Sequence, residues 1–247
     1  MKLIHTAILC TLLSACASVS TPPAANSTGA TDGGATIAPM PTEDLVTRYA
    51  ALRKAGGQVF KMDAAKSAVR IYAFRGGKAA KFGHNHVLSA PTFQGFFHLA
   101  PDGTAASRFD LEFRLDQLVF DEPEHRAALG PAFASAISVE DRASTRTNML
   151  GDNNFQAVKF PLVRIESRQI TGDGTKFSAK IAVEVHGQTR EIWTPLTVTG
   201  LPDKLEVQGS FVLRQSDFGI KTFSLFGGLL AVQDETIVEF KLLGERP

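Results

Sequence analysis

A chain of 247 residues is long enough for one large domain with its own core, or for two small ones. Apolar residues make up 44% and charged residues 21%, which is globular composition, and a formal net charge of +1 supplies no field for nucleic acid or for polybasic membrane binding. The aromatics are skewed, with 18 Phe against 2 Tyr and 1 Trp, so the chain is built for apolar interior surface without polar handles.

Residues 1–15 read as a signal peptide: Lys2 is a short positive region, and residues 3–13 form an apolar run too short to span a bilayer. The run ends in Leu13-Ser14-Ala15-Cys16, which resembles the lipobox of bacterial lipoproteins. In that class the signal is cut before the cysteine and the thiol is diacylated. The resemblance implies lipid attachment at Cys16 and a membrane partner reached through the N-terminal acyl anchor, since several acyl chains anchor stably where one does not. A non-acidic Ala17 implies, by the sorting pattern of that class, the outer membrane facing the periplasm. Cys10 leaves with the signal and Cys16 is consumed, so thiol chemistry, disulfides and Cys-ligated metal centres are excluded.

Residues 16–62 read as the acylated cysteine, a flexible tether and a short helix. The stretch 17–41 is rich in Ala, Ser, Thr, Gly and Pro and cannot build a core. The stretch 42-TEDLVTRYAALRKAGG-57 has Thr42 as a candidate cap, Glu43 and Asp44 at its positive end, and Arg53 and Lys54 at its negative end. Leu45, Tyr49 and Leu52 make one stripe that should dock on the domain that follows, and Gly56-Gly57 should stop the helix.

Residues 63–247 read as the folded domain. The period becomes alternating: Phe109, Leu111, Phe113 and Leu115 face one way, while Asp110, Glu112, Arg114 and Asp116 face the other. The same period runs through 177–186 and recurs in 69–75, 93–99, 162–170, 190–199, 205–214 and 236–243. Turns at Pro101-Asp102-Gly103, Asp173-Gly174, Gly187-Gln188 and Leu201-Pro202-Asp203 join sequence neighbours as hairpins. The pattern predicts an all-β fold: an eight-stranded antiparallel up-and-down barrel, with a helical or irregular segment over 121–158 covering one end. Three Trp and Tyr residues cannot furnish the girdles of a membrane-spanning barrel, so a water-soluble barrel with a Phe-lined interior is expected.

Three segments in order carry a further likeness. The stretches 151-GDNNFQAVKFPLVRIES-167, 183-VEVHGQTREI-192 and 214-RQSDFGI-220 together resemble the YceI-like family over about residues 66–243. The resemblance implies a lipocalin-like barrel that holds a long amphiphile, such as an isoprenoid quinone, a polyprenyl chain or a fatty amide, and that binds or carries it without catalysis. It requires no other cofactor. The chain departs from the commonest family pattern at 83-GHNH-86, where many members have one histidine.

In 81-KFGHNHVLSA-90, a strand would project His84 and His86 to one face about 7 Å apart, beside Phe82 and Leu88. Three roles stay open for the pair: contact with a ligand head group at the pocket rim, purely structural hydrogen bonding, or ligation of a metal or haem. No third ligand is nominated, because His98 alternates with Phe97 and Leu99 and points away from the lumen. The rim is therefore assigned to Phe82, His84, Asn85 and His86. The apolar lining is assigned to Phe97, Phe109, Leu111, Phe113, Ile165, Ile181, Val183, Phe211 and Phe218. His186 reads as an exposed turn residue, and His125, within Glu122–Arg126, as solvated surface. Gly219 should provide a bend with Phe218 packing inward, and Arg214 and Asp217 are a candidate surface pair. None of the short catalytic or phosphate-binding motifs occurs. The expected partner is thus a long-chain lipid, with no nucleic acid, and a homodimer is compatible with the sequence.

Overall fold

A computed structural model describes residues 44–247. The signal segment, Cys10, Cys16, the tether, Thr42 and Glu43 lie outside the described residues. Helix α1 (Leu45–Ala55) is capped by Asp44, whose side chain accepts the Thr47 amide at 3.1 Å. Leu45 and Tyr49 are buried and Leu52 packs beside them, as the stripe predicts. Tyr49 stacks on Phe96 with ring centroids 5.0 Å apart, and its hydroxyl donates to Asp110 Oδ2 at 2.8 Å. The helix therefore lies against the outer wall of the domain and buries Asp110, which alternation alone assigns to solvent.

The strands are β1 (Gln58–Met62), β2 (Ala68–Gly76), β3 (His86–Ser89), β4 (Gln94–Leu99), β5 (Arg108–Arg114), β6 (Val119–Phe120), β7 (Leu162–Asp173), β8 (Lys176–Val185), β9 (Gln188–Thr199), β10 (Lys204–Arg214), β11 (Ser224–Leu225) and β12 (Leu230–Glu245). They build a closed barrel of eight antiparallel staves. Three staves are bent and broken, β1 with β2, β3 with β4, and β5 with β6; β11 is a short hairpin arm on β12. Closure falls on β12, which pairs with β10 along one edge and with β2 and then β1 along the other. The eight alternating segments of the sequence are the eight staves. The short pieces β1, β6 and β11 carry no signal because two to five residues are too few to establish a period, and β1 falls inside the region read as tether and helix.

Alternation sorts the two faces. The outer wall carries cross-strand charges, with Arg164 between Glu112 at 3.5 Å and Glu184 at 3.6 Å, and Lys180 on Glu191. The inner wall is apolar, and its two ends differ. At one end Phe60, Phe97, Phe109, Phe211 and Phe240 fill the lumen. Gly244 permits this, because a Cβ there would lie 2.9 Å from both Phe60 and Phe97. The void left among Phe109, Leu111, Ile165, Ile181 and Phe211 is about 20 Å³, space for about one water.

The other end stays open and is covered by the 121–158 segment, as expected. That segment holds α2 (Pro123–Ala128), a 3₁₀ turn at Pro131–Phe133, and α3 (Val139–Leu150), capped by Ser138. Arg146 of α3 donates to the carbonyls of Leu118 and Asp116, and Asn154 Nδ2 donates to the Lys221 carbonyl at 2.7 Å. These bonds tie the cover to two sides of the barrel rim.

Candidate functional site

Under this cover lies a cavity of about 330 Å³. Its walls are the rim ends of the staves: Ile71 and Ala73 of β2, Leu88 of β3, Phe113 of β5, Val163 and Ile165 of β7, Val185 of β8, and Val238 of β12. Met149 and Phe155 close it from the cover. Polar groups enter at few points, chiefly His84, His86, Asp141, Asn148, Asn154 and Gln215. An apolar volume with a few convergent polar groups is the form of a small-molecule binding site.

The stretch 81–90 is not one strand. A 3₁₀ turn at Ala80–Phe82 takes up its first residues, and β3 begins only at His86. His84 sits in the extended approach, so the pair does not stand as i, i+2 on a strand. The rings nevertheless both line the cavity, 6.5 Å apart between centroids and inclined at 67°.

Each ring is held by a different neighbour. His86 Nδ1–H donates to Asp121 Oδ2 at 2.7 Å, which leaves Nε2 as the nitrogen open to an occupant. Asp121 is fully buried and takes three further roles. Its Oδ1 accepts from Arg126 Nη1 at 2.7 Å and from the Val87 amide at 3.1 Å, and its own amide donates to the Val87 carbonyl at 2.8 Å. It does so with φ of 52°, a left-handed conformation that Asp tolerates better than most residues. Burial works to raise the Asp121 carboxyl, but the hydrogen bonds from His86, Val87 and Arg126 outweigh it and hold the group below its ordinary 3.8. Arg126 is buried and also donates to the Asn85 carbonyl at 2.6 Å.

His84 Nδ1 lies 2.9 Å from Ser135 Oγ. Burial first, and then the charges of His86 and Arg126, push His84 below its ordinary 6.5, so the neutral ring is favoured. Asn85 does not reach the cavity. Its Oδ1 accepts the Arg75 amide at 3.0 Å and its Nδ2 donates to the Ala132 carbonyl at 3.1 Å, which fastens the stretch to β2 and to the cover. Phe82 is at the rim and 73% exposed.

Of the predicted lining, Phe113 and Ile165 face the main cavity. Phe109, Leu111, Ile181 and Phe211 bound the small void at the filled end, which Ile165 also touches. Phe97, Val183 and Phe218 are buried in the core and line neither. Alternation identifies inward faces but not depth along the barrel, which is why one list mixed two ends.

The other readings are settled by contacts. His98 Nε2–H donates to the Gly56 carbonyl at 3.0 Å, outside the barrel and away from the histidine pair. His186 is not an exposed turn residue: its Nδ1–H donates to the Phe218 carbonyl at 3.0 Å and its ring meets Phe160 edge-on at 4.9 Å. His186-Gly187 thereby pins the β8–β9 hairpin to two rim segments. Phe218 is buried, Gly219 ends a 3₁₀ turn with φ of 71°, and Arg214 pairs with Asp217 at 3.1 Å on the exposed surface, each as expected. His125 is half-buried beside Glu122 Oε2 at 2.8 Å. No signal in the alternating pattern pointed to Asp121, Arg126, Ser135 or Gln215, because all four lie where the strands stop.

A closed antiparallel barrel, filled at one end and hollow at the other, is a lipocalin-like fold. The YceI-like domain matches residues 60–243, and the chain belongs to that family. Among solved structures, Burkholderia cenocepacia BcnA is 17% identical with a TM-score of 0.55, covering 74% of this chain and 98% of that one. The Campylobacter jejuni YCEI protein is 12% identical with a TM-score of 0.48, covering 65% of this chain and 85% of that one. No curated protein matches the chain.

Proposed function

We propose that this protein binds and carries a long-chain amphiphile of isoprenoid quinone or polyprenyl type. In this reading it stands at the periplasmic face of the outer membrane, held there by acyl chains on Cys16. The observation that carries the reading is the apolar cavity of about 330 Å³ with two histidines at its rim. Membership of the YceI-like family supports it. Each buried methylene contributes about 0.8 kcal/mol, so affinity comes from the chain and discrimination from the polar rim. A cavity of about 330 Å³ is at the small end of ligand pockets, so it would take a head and its first chain units. The remainder of a longer tail would leave through the mouth. Mass spectrometry of solvent extracts of gently purified protein tests this; no stoichiometric lipid, together with no uptake of quinones or polyprenols, would remove the reading.

The alternative, a metal- or haem-binding accessory using His84 and His86, gains no third ligand: no group of three His, Cys, Asp or Glu among the described residues is arranged to hold an ion. Metal analysis of the wild type against His84→Ala and His86→Ala decides it.

A further inference from the structure

We propose that two loops at the cavity mouth form a docking surface for an anionic lipid bilayer. One loop runs from Gly77 to Gly83, between β2 and β3; the other runs from Lys221 to Leu229, around β11. They are one surface. The Ala79 amide donates to the Leu229 carbonyl at 2.8 Å, and Gly77 lies so close to the second loop that a Cβ would meet the Gly228 and Leu229 oxygens at 2.5 Å.

Four large apolar side chains project from this surface: Phe82 is 73% exposed, Phe226 82%, Leu225 40% and Leu229 46%. Clustered exposure of this kind marks an interaction site, whereas single exposed residues do not. The charges on the two loops have one sign. Lys78, Lys81 and Lys221 are exposed on the two loops, and no acidic residue occurs between Asp63 and Asp102 or between Asp217 and Asp234. Aromatic and aliphatic tips ringed by lysines suit the boundary between acyl chains and anionic head groups.

The surface is also continuous with the cavity. Phe82 and Gly83 of the first loop, with Phe223 of the second and the adjoining Leu230 and Ala231, line the cavity as well. A bilayer pressed against these loops would meet the mouth, so an insoluble chain could pass between membrane and barrel without crossing water. The acidic residue that lines the cavity, Asp141, belongs to the helical cover, with Glu140 before it. The docking surface therefore lies on the loop side of the mouth. Its purpose rests on the lipid-carrier reading, but the geometry and the test do not require a bound ligand.

The experiment uses the full chain on vesicles of phosphatidylcholine and phosphatidylglycerol with brominated acyl chains, which quench only tryptophans that enter the bilayer. Phe226→Trp is made in a Trp193→Phe background. The unmodified chain, whose single tryptophan is Trp193 midway along β9, is the control. The expected result is a blue shift and quenching at position 226, with no quenching at Trp193. Each lysine of the surface changed to Gln should weaken engagement of position 226 with the bilayer, read as its quenching, about fivefold, and added salt should do the same. Equal emission at position 226 with and without bromolipid overturns the proposal. So does burial of that position only on self-association or on adding a protein, which would make the surface a protein interface. Circular dichroism and unchanged emission in buffer confirm that the variants fold. Lipid in the extract with no quenching here would leave the carrier reading standing and remove only the docking surface.

Discussion

His86 and Asp121 are joined by a 2.7 Å hydrogen bond from Nδ1 to a carboxylate that no solvent reaches. The same carboxylate takes the Arg126 guanidinium, so one buried group orients the rim histidine and anchors the cover segment.

Asp121→Asn keeps the shape, and Asn accepts the left-handed backbone, so the variant removes the charge and one of the two accepting oxygens. Leaving Arg126 buried without its counter-ion should cost about 3–5 kcal/mol in urea unfolding. The lipid recovered in extracts should fall as His86 loses its fixed orientation. A double variant with Arg126→Met should cost less than the sum of the single changes, because the two side chains are in contact. Additive costs would dissolve the network.

Acid stability follows from the same carboxylate. Its folded pKa lies below 3.8, so between the two values the unfolded chain binds more protons. The stabilisation is complete above about pH 3.8 and is lost as pH falls through the folded value. Asp110 acts in the opposite sense. Burial raises it above 3.8 despite the hydrogen bond from Tyr49 and the charge of Arg108, so it favours the fold most when protonated and less as pH rises through its folded value. Unfolding curves across acid pH should therefore show a shallower acid slope for Asp121→Asn. Asp110→Asn, which still accepts from Tyr49, should lose the fall in stability above pH 3.8.

Tyr49→Phe probes the docking of α1. It removes the hydroxyl 2.8 Å from Asp110 Oδ2 and leaves a buried carboxylate short of a donor, for about 1–3 kcal/mol. Tyr49→Ala also removes the stacking on Phe96 and should cost about 3–5 kcal/mol. Chemical denaturation measures both, and a cost near zero would mean that the helix contributes nothing to the barrel.

Val163→Phe fills the cavity from its wall. In a densely packed interior such a change costs about 1–3 kcal/mol; where empty volume receives the ring, the melting temperature should hold while lipid stoichiometry drops. A large loss of stability would show that the space is not there to be filled.

A homologous series of straight-chain alcohols or acids reads the cavity's length. Affinity should improve by about 0.8 kcal/mol per methylene until the chain outgrows the cavity and then flatten. Calorimetry or probe displacement gives the break point, and steady improvement far beyond it would require the α3 cover to move outward.

Much of the fold was legible because a half-buried antiparallel strand writes its two environments into alternate residues, and long staves repeat the signal until it is unambiguous. Phe109, Leu111 and Phe113 against Asp110, Glu112 and Arg114 is enough to say which side is inside. The hairpin turns carry their own chemistry, so neighbour-to-neighbour connection was legible too, as were the docking stripe of α1 and the cover over 121–158.

Position along the barrel axis was not. Period two distinguishes in from out, but Phe211 and Phe113 look alike in sequence although one plugs the filled end and the other walls the cavity. His84 and His86 were visible as a pair, but their setting came from Ser135, Asp121 and Arg126, 35 to 51 residues away and on segments without a period. Sequence alone determined the barrel, its apolar interior and the candidate rim. Tertiary structure decided which end is hollow, which histidine nitrogen is open and where the mouth carries its exposed apolar loops, because these depend on packing between segments that no local pattern records.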